Sequence, residues 1–175
     1  MEGHEAARGI GAPQAERPER GEGPPREIML LTKGQYSITT DPEKIDLDAV
    51  HEFLSRSFWA EGIPKDTVAR SLANSLCFGL FDGANQIGLA RVVTDRATYA
   101  YLCDVYVLES HRGHGLGKWL IEAVMAHPDL QGLRRFQLVT RDAHGLYSRY
   151  GFATPAHPER HMEIFKHGMY VDTDA

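Results

Sequence analysis

The chain has 175 residues, 42% of them apolar, and a formal net charge of −5. That is one domain's worth of material with enough apolar residues for a core. The charge carries no footprint for nucleic acid or for an anionic membrane surface, and no stretch approaches the roughly eighteen apolar residues that would span a bilayer.

Residues 1 to 28 are dominated by Gly, Pro, Glu, Arg and Ala and start without a hydrophobic secretory region. They hold too little apolar surface to offset the entropy of ordering them, so they are expected to form a disordered tail, with residues 29–175 as the folded domain. Met29 directly after this tail suits an alternative start. Tyr36 to Thr40 reads as a first strand. Asp46 or Asp48 can cap a helix through Val50, Phe53, Leu54 and Phe58, placing Phe58 on the core side. A loop from Trp59 to Ile63 leads to Pro64, which suits the first turn of a second helix containing Val68 and Leu72. Cys77 to Phe81 and Ile87 to Val93 read as antiparallel strands joined at Asp82-Gly83-Ala84-Asn85. Thr94-Asp95-Arg96 turns the chain into a long strand ending at Leu108. A helix follows through Leu116, Leu120, Ile121, Val124 and Met125 to His127-Pro128, and then a strand around Phe136 to Val139. A short helix at Tyr147 and two last strands, near Phe152 and over Met162 to Phe165, complete the chain. Cys77 and Cys103 read as core thiols of a reducing cytoplasm.

Between the long strand and its helix lies His111-Arg112-Gly113-His114-Gly115-Leu116-Gly117-Lys118-Trp119. A glycine-rich turn entering a helix presents unpaired N–H groups at the positive end of the helix dipole, which suits a phosphate or pyrophosphate. The P-loop pattern fails because Gly117-Lys118 is followed by Trp119, and the dinucleotide pattern fails because Lys118 stands where a third glycine is required. What remains is R-x-x-G-x-G, from Arg112 through Gly115 to Gly117. Further on, Ala143, Leu146, Tyr147, Gly151 and Phe152 spell A-x-x-L-Y-x-x-x-G-F.

These two motifs, in this order, resemble the core of the GNAT superfamily of N-acyltransferases over residues 36 to 166. The resemblance implies an α/β fold with a mixed, mostly antiparallel central sheet and helices on both faces. It implies acetyl-CoA as co-substrate, bound by the backbone of Val105, Tyr106 and Val107 at the pantetheine and by Arg112, Gly113, His114, Gly115, Leu116, Gly117 and Lys118 at the pyrophosphate. It also implies Tyr147 as the acid for the departing thiolate and Asp104 as a base or as the anchor of the acceptor amine. Asp95 is a second candidate carboxylate, although its surroundings also suit a simple turn.

Free alkyl amines have pKa values near about 10.4 and need to lose a proton before they attack. Trp59 and Glu61, in the loop between the first two helices, suit a cationic amine by cation–π and charge contacts. His144, one helical turn before Tyr147, could act as base or acceptor contact. Glu109 and Thr140 stand where the family often carries proline and asparagine. His157 and His161 have metal-like spacing, but Pro158 breaks the helix that would use it, and no metal is expected. The reading is a cytoplasmic acetyltransferase acting on a primary amine, of a small molecule rather than a protein lysine or N-terminus. Attack is direct, since neither cysteine lies in a motif suited to a covalent acyl intermediate. A homodimer is expected by analogy alone. A non-catalytic acyl-CoA-binding module is the alternative, and an unrelated phosphate-binding α/β protein a third reading.

Overall fold

A computed structural model describes residues 27–171. The expected tail therefore lies outside the described residues except for Glu27 and Ile28, which are exposed and belong to no regular element. Six strands form one sheet in sequence order: β1 (Leu30–Lys33), β2 (Tyr36–Thr39), β3 (Leu76–Asp82), β4 (Asn85–Thr94), β5 (Tyr99–Val107) and β6 (Arg135–Leu138). Every neighbouring pair is antiparallel except β5 and β6, which run parallel and are joined through a helix. The helices are α1 (Leu47–Leu54), α2 (Lys65–Ala73), α3 (Leu116–Ala126) and the single turn α4 (His144–Tyr147).

Alternation along the strands divides the core in two. Phe78, Leu80, Val92, Ala100 and Leu102 pack against Leu116, Leu120, Ile121 and Val124 of α3. Cys77, Leu89 and Tyr106 face the other way, against Val50, Leu54 and Val68 of α1 and α2. The result is a mixed, mostly antiparallel sheet between two helical layers. Asp46 caps α1 as expected, its Oδ1 accepting from the N–H groups of Asp48 at 2.9 Å and Ala49 at 3.1 Å.

Four expectations change. β1 pairs with β2 across a Gly34 turn, but its exposed edge position leaves no burial pattern to read from sequence. Helix α1 stops at Leu54, so Phe58 is not a core residue but 65% exposed. Neither strand forms after Tyr147: residues 152–171 hold only two short turns, at Pro158–Arg160 and over 167–170, and Met162 is 97% exposed. Arg91, inside a strand read as apolar, is a half-buried cation.

Two irregularities mark the second half of β5. Strand β6 accompanies only Tyr99 to Leu102, pairing Leu102 with Leu138, and then the two strands part. Beyond that point β5 has a free edge on this side among the described residues. On its other side a bulge shifts the register, with Leu89 opposite Tyr106 but Arg91 opposite Cys103. The extra residue is Asp104, at φ 50°.

Candidate active site

The glycine loop follows β5 without interruption. A single turn over Glu109–His111 leads to Gly113 and Gly115, at φ 82° and 74°. Gly115 is the N-cap residue of α3 and offers no side chain to the first N–H groups of the helix. Those donors are open to a ligand, and the positive φ is one that a Cβ opposes. Arg112 closes the base of the loop, its Nε donating to the Val107 carbonyl at 3.1 Å. His111 ties the loop to the β3–β4 turn, with Nε2 3.3 Å from Asp82 Oδ2, and His114 Nδ1 lies 3.3 Å from the His111 carbonyl. Lys118 is exposed beside Glu122. Leu116 and Tyr106 are buried, the latter stacked on Phe53 with ring centroids 3.6 Å apart, so each offers a cofactor its backbone alone. Trp119 packs against the α3-side core.

Helix α4 joins the α3-side core, where Tyr147 belongs to the same cluster as Leu102 and Leu116. Tyr147 is buried, packs edge-on to Phe152 at 6.0 Å, and donates its hydroxyl to no described residue. Burial pushes its pKa above the usual tyrosine value, so the phenol keeps its proton at neutral pH. His144 does not share this environment: on so short a helix it is exposed while Tyr147 points inward. Thr140 is occupied locally, its Oγ1 accepting from the Ala143 N–H at 3.0 Å. Glu109 is exposed at the loop.

Asp104 does not stand free beside apolar neighbours. Its Oδ2 accepts from Arg91 Nε at 2.6 Å and its Oδ1 from Trp59 Nε1 at 3.1 Å. Trp59, on the loop between α1 and α2, is thereby brought against β5, with Phe58 edge-on at 4.9 Å. The Arg141 guanidinium covers the Phe58 ring at 4.1 Å, reaching over from the loop before α4. Glu61 is exposed on the same loop as Trp59. Asp95 belongs to its turn: it accepts from the N–H groups of Ala97, Thr98 and Tyr99 and from the Thr98 hydroxyl. The Thr98 hydroxyl and these N–H groups hold the Asp95 carboxyl well below the usual carboxylate range. His157 and His161 flank the Pro158–Arg160 turn and bond separately to Glu159 and Gln137.

Motif reading missed Arg91, Ser75, Phe53 and Arg141. Arg91 left one usable sign: an arginine in the middle of a strand whose neighbours are all apolar needs a buried partner.

The thiols are held in the protonated form and do not pair with one another. Cys77 and Cys103 lie opposite Arg91 from either side, two strand spacings apart, too far to bridge. Burial pushes both pKa values up to about 12.

Residues 73–154 match the family model described as an acetyltransferase (GNAT) domain. FG08082 of Gibberella zeae, a protein assigned to the acetyltransferases, is 34% identical over 141 residues, covering 67% of this chain and 78% of that protein. A crystal structure from Xanthomonas campestris, of a protein assigned to the GNAT family of acetyltransferases, is 51% identical with a TM-score of 0.76. The match covers 78% of this chain and 96% of that one. A Clostridium acetobutylicum protein solved with acetyl-CoA shares the fold at a TM-score of 0.55 and 16% identity, over 78% of this chain and 96% of that one.

Proposed function

Because the chain belongs to the GNAT family of acetyltransferases, we propose that it transfers an acetyl group from acetyl-CoA to a primary amine of a small molecule. The observation that carries this reading is the parting of β5 from β6 on the strand whose end leads, through the glycine loop, into the uncapped N-terminus of α3. The edge of β5 along Val105, Tyr106 and Val107, which β6 leaves uncovered, suits the pantetheine amides, which would add to it like a short strand. The N–H groups from Gly113 to Lys118, with the Arg112 and Lys118 charges, suit the pyrophosphate. The Clostridium acetobutylicum protein of the same fold, solved with acetyl-CoA, supports this choice of donor.

An acyl thioester supplies an activated acetyl group, and the remaining tasks fall to the chain. The amine nitrogen forms its bond to the acetyl carbon as the carbon–sulfur bond breaks. Tyr147 gives its phenolic proton to the departing sulfur and recovers one from the solvent, into which the amine's own proton is released. The loop carrying Trp59 and Glu61, with His144 at the rim, forms the acceptor side. Asp104, with its oxygens engaged by Arg91 and Trp59, serves there by holding the Trp59 indole rather than as a base.

Thermal unfolding with acetyl-CoA, with NAD and ATP as controls, tests the reading. Acetyl-CoA at a hundredfold excess over its dissociation constant adds about 2.7 kcal/mol of stability, and the controls add none. Primary amines are then screened by thiol release. Stabilisation by NAD or ATP in place of acetyl-CoA overturns the proposal.

A further inference from the structure

A chain of polar bonds, partly buried at its centre, runs into the acceptor side, and the reaction steps above give no part to its two inner members, Ser75 and Arg91. Ser75, at the entrance to β3, accepts from Arg91 Nη1 at 3.0 Å. Arg91 Nε donates to Asp104, and Asp104 accepts in turn from the Trp59 indole. The two charged side chains are nearly enclosed, 16% exposed for Arg91 and 11% for Asp104. The line thus runs from β3 through β4 and the β5 bulge to the loop between α1 and α2.

Each link constrains the next. Arg91 donates from two nitrogens of its planar guanidinium at once, in fixed in-plane directions that the single point charge of a lysine cannot reproduce. Asp104 is held in a backbone conformation that side-chain-bearing residues rarely adopt, and such positions cluster where geometry is functionally fixed. A carboxylate balanced by an adjacent guanidinium offers an incoming ammonium little free charge. What it does offer is a fixed acceptor for the indole. Trp59 is 43% exposed on a stretch without helix or strand between Ser55 and Pro64. Phe53 lies 6.1 Å away and Phe58 4.9 Å, so the indole is one panel of an aromatic wall.

We propose that Arg91 is the positioning residue of the acceptor side: through Asp104 it fixes Trp59 as the wall against which the acceptor amine is aligned. This rests on the acetyltransferase reading and goes beyond it by giving the contact to Trp59 and the alignment to Arg91 and Asp104.

Two measurements test it. In a Trp119→Phe background Trp59 is the sole indole, since the chain has two tryptophans. Its steady-state fluorescence anisotropy is expected to fall by a third or more on Arg91→Lys, as the anchor is lost. In the otherwise unaltered protein, Arg91→Lys and Trp59→Phe each raise KM for the amine about tenfold and leave KM for acetyl-CoA within twofold. The double variant is no worse than either single one, because both changes remove the same wall. Unchanged Trp59 anisotropy overturns the proposal, as does an equal loss for both substrates or additive effects in the double variant. Trp59→Phe sits at a half-exposed position and keeps the kinetic test available if Arg91→Lys folds poorly. The anisotropy arm requires no turnover, so it is independent of the acetyltransferase reading, whose failure shows separately as absent acetyl-CoA binding.

Discussion

Tyr147 combines a buried ring with a hydroxyl that no described residue accepts. The ring has a packing task against Phe152 and the α3-side core, and the hydroxyl has none there. Removing the oxygen therefore separates structure from chemistry. Tyr147→Phe is expected to melt within a few degrees of the parent protein, since no described hydrogen bond is lost. Turnover falls by about 10²–10⁴, the usual contribution of a positioned acid, with KM for acetyl-CoA unchanged. Parallel thiol-release kinetics and thermal melts check this, and an unchanged kcat removes Tyr147 from the mechanism. This residue was legible because its neighbours form a motif, with Leu146 before it and Gly151-Phe152 after it. Arg91 was not. It pairs with a carboxylate 13 positions away, and only the bulge that inserts Asp104 brings the two together. Asp104 was found by its place near the end of the long strand. Its guanidinium partner was hidden, so the sequence left base and anchor as equal readings of this carboxylate.

Elements were legible where burial imposed a period and illegible where it did not. Strands β3, β4 and β5 and helix α3 are central and apolar, and each lies close to its expected span. β1 is a short exposed edge, and the expected strands at Phe152 and Met162–Phe165 find no partner strand. Apolar alternation proposes a strand, but only a hydrogen-bonding neighbour makes one. The glycine loop was legible for a different reason, because its backbone conformation demands the residue. A Cβ at Gly115 would meet no atom within 4 Å, so the cost of Gly115→Ala is conformational alone. At φ 74° that cost is about 1–2 kcal/mol. The melting temperature is expected to fall by roughly 2–8 °C. The stabilisation by acetyl-CoA shrinks as well, because relaxing the strain turns the N–H groups away from the pyrophosphate. Melts of both proteins with and without acetyl-CoA decide it. A full acetyl-CoA shift in the variant would show that these donors do not hold the ligand.

At the scale of the whole molecule, the layer order followed from the alternation of strands and helices, but the closing contacts did not. One of these gathers the chain around His127, at the end of α3. The ring is buried, meets Phe78 edge-on at 5.4 Å, and its Nδ1 accepts from the Asp129 N–H at 3.2 Å. Asp129 is also the partner of Arg96, the residue after Asp95 in the turn that opens β5. Burial lowers the His127 pKa below its usual value, outweighing Asp129, which raises it; Arg96 lowers it further and Glu27 raises it. The folded state therefore holds the ring neutral more firmly than the unfolded chain does. Above about pH 6.5 both states are neutral at this site and its contribution is fully present. As pH falls below that value the unfolded chain takes up the proton first, and stability declines until the folded pKa is passed. Asn in place of His127 keeps a side-chain acceptor for Asp129 but cannot titrate. The stability gap between the parent protein and His127→Asn is thus expected to narrow steadily from pH 7.5 to pH 5, whatever the other histidines contribute, because they are common to both. Paired denaturant titrations across that range measure the gap directly. A gap that stays constant or widens on acidification would show that the buried ring is not the group through which acid loosens this fold.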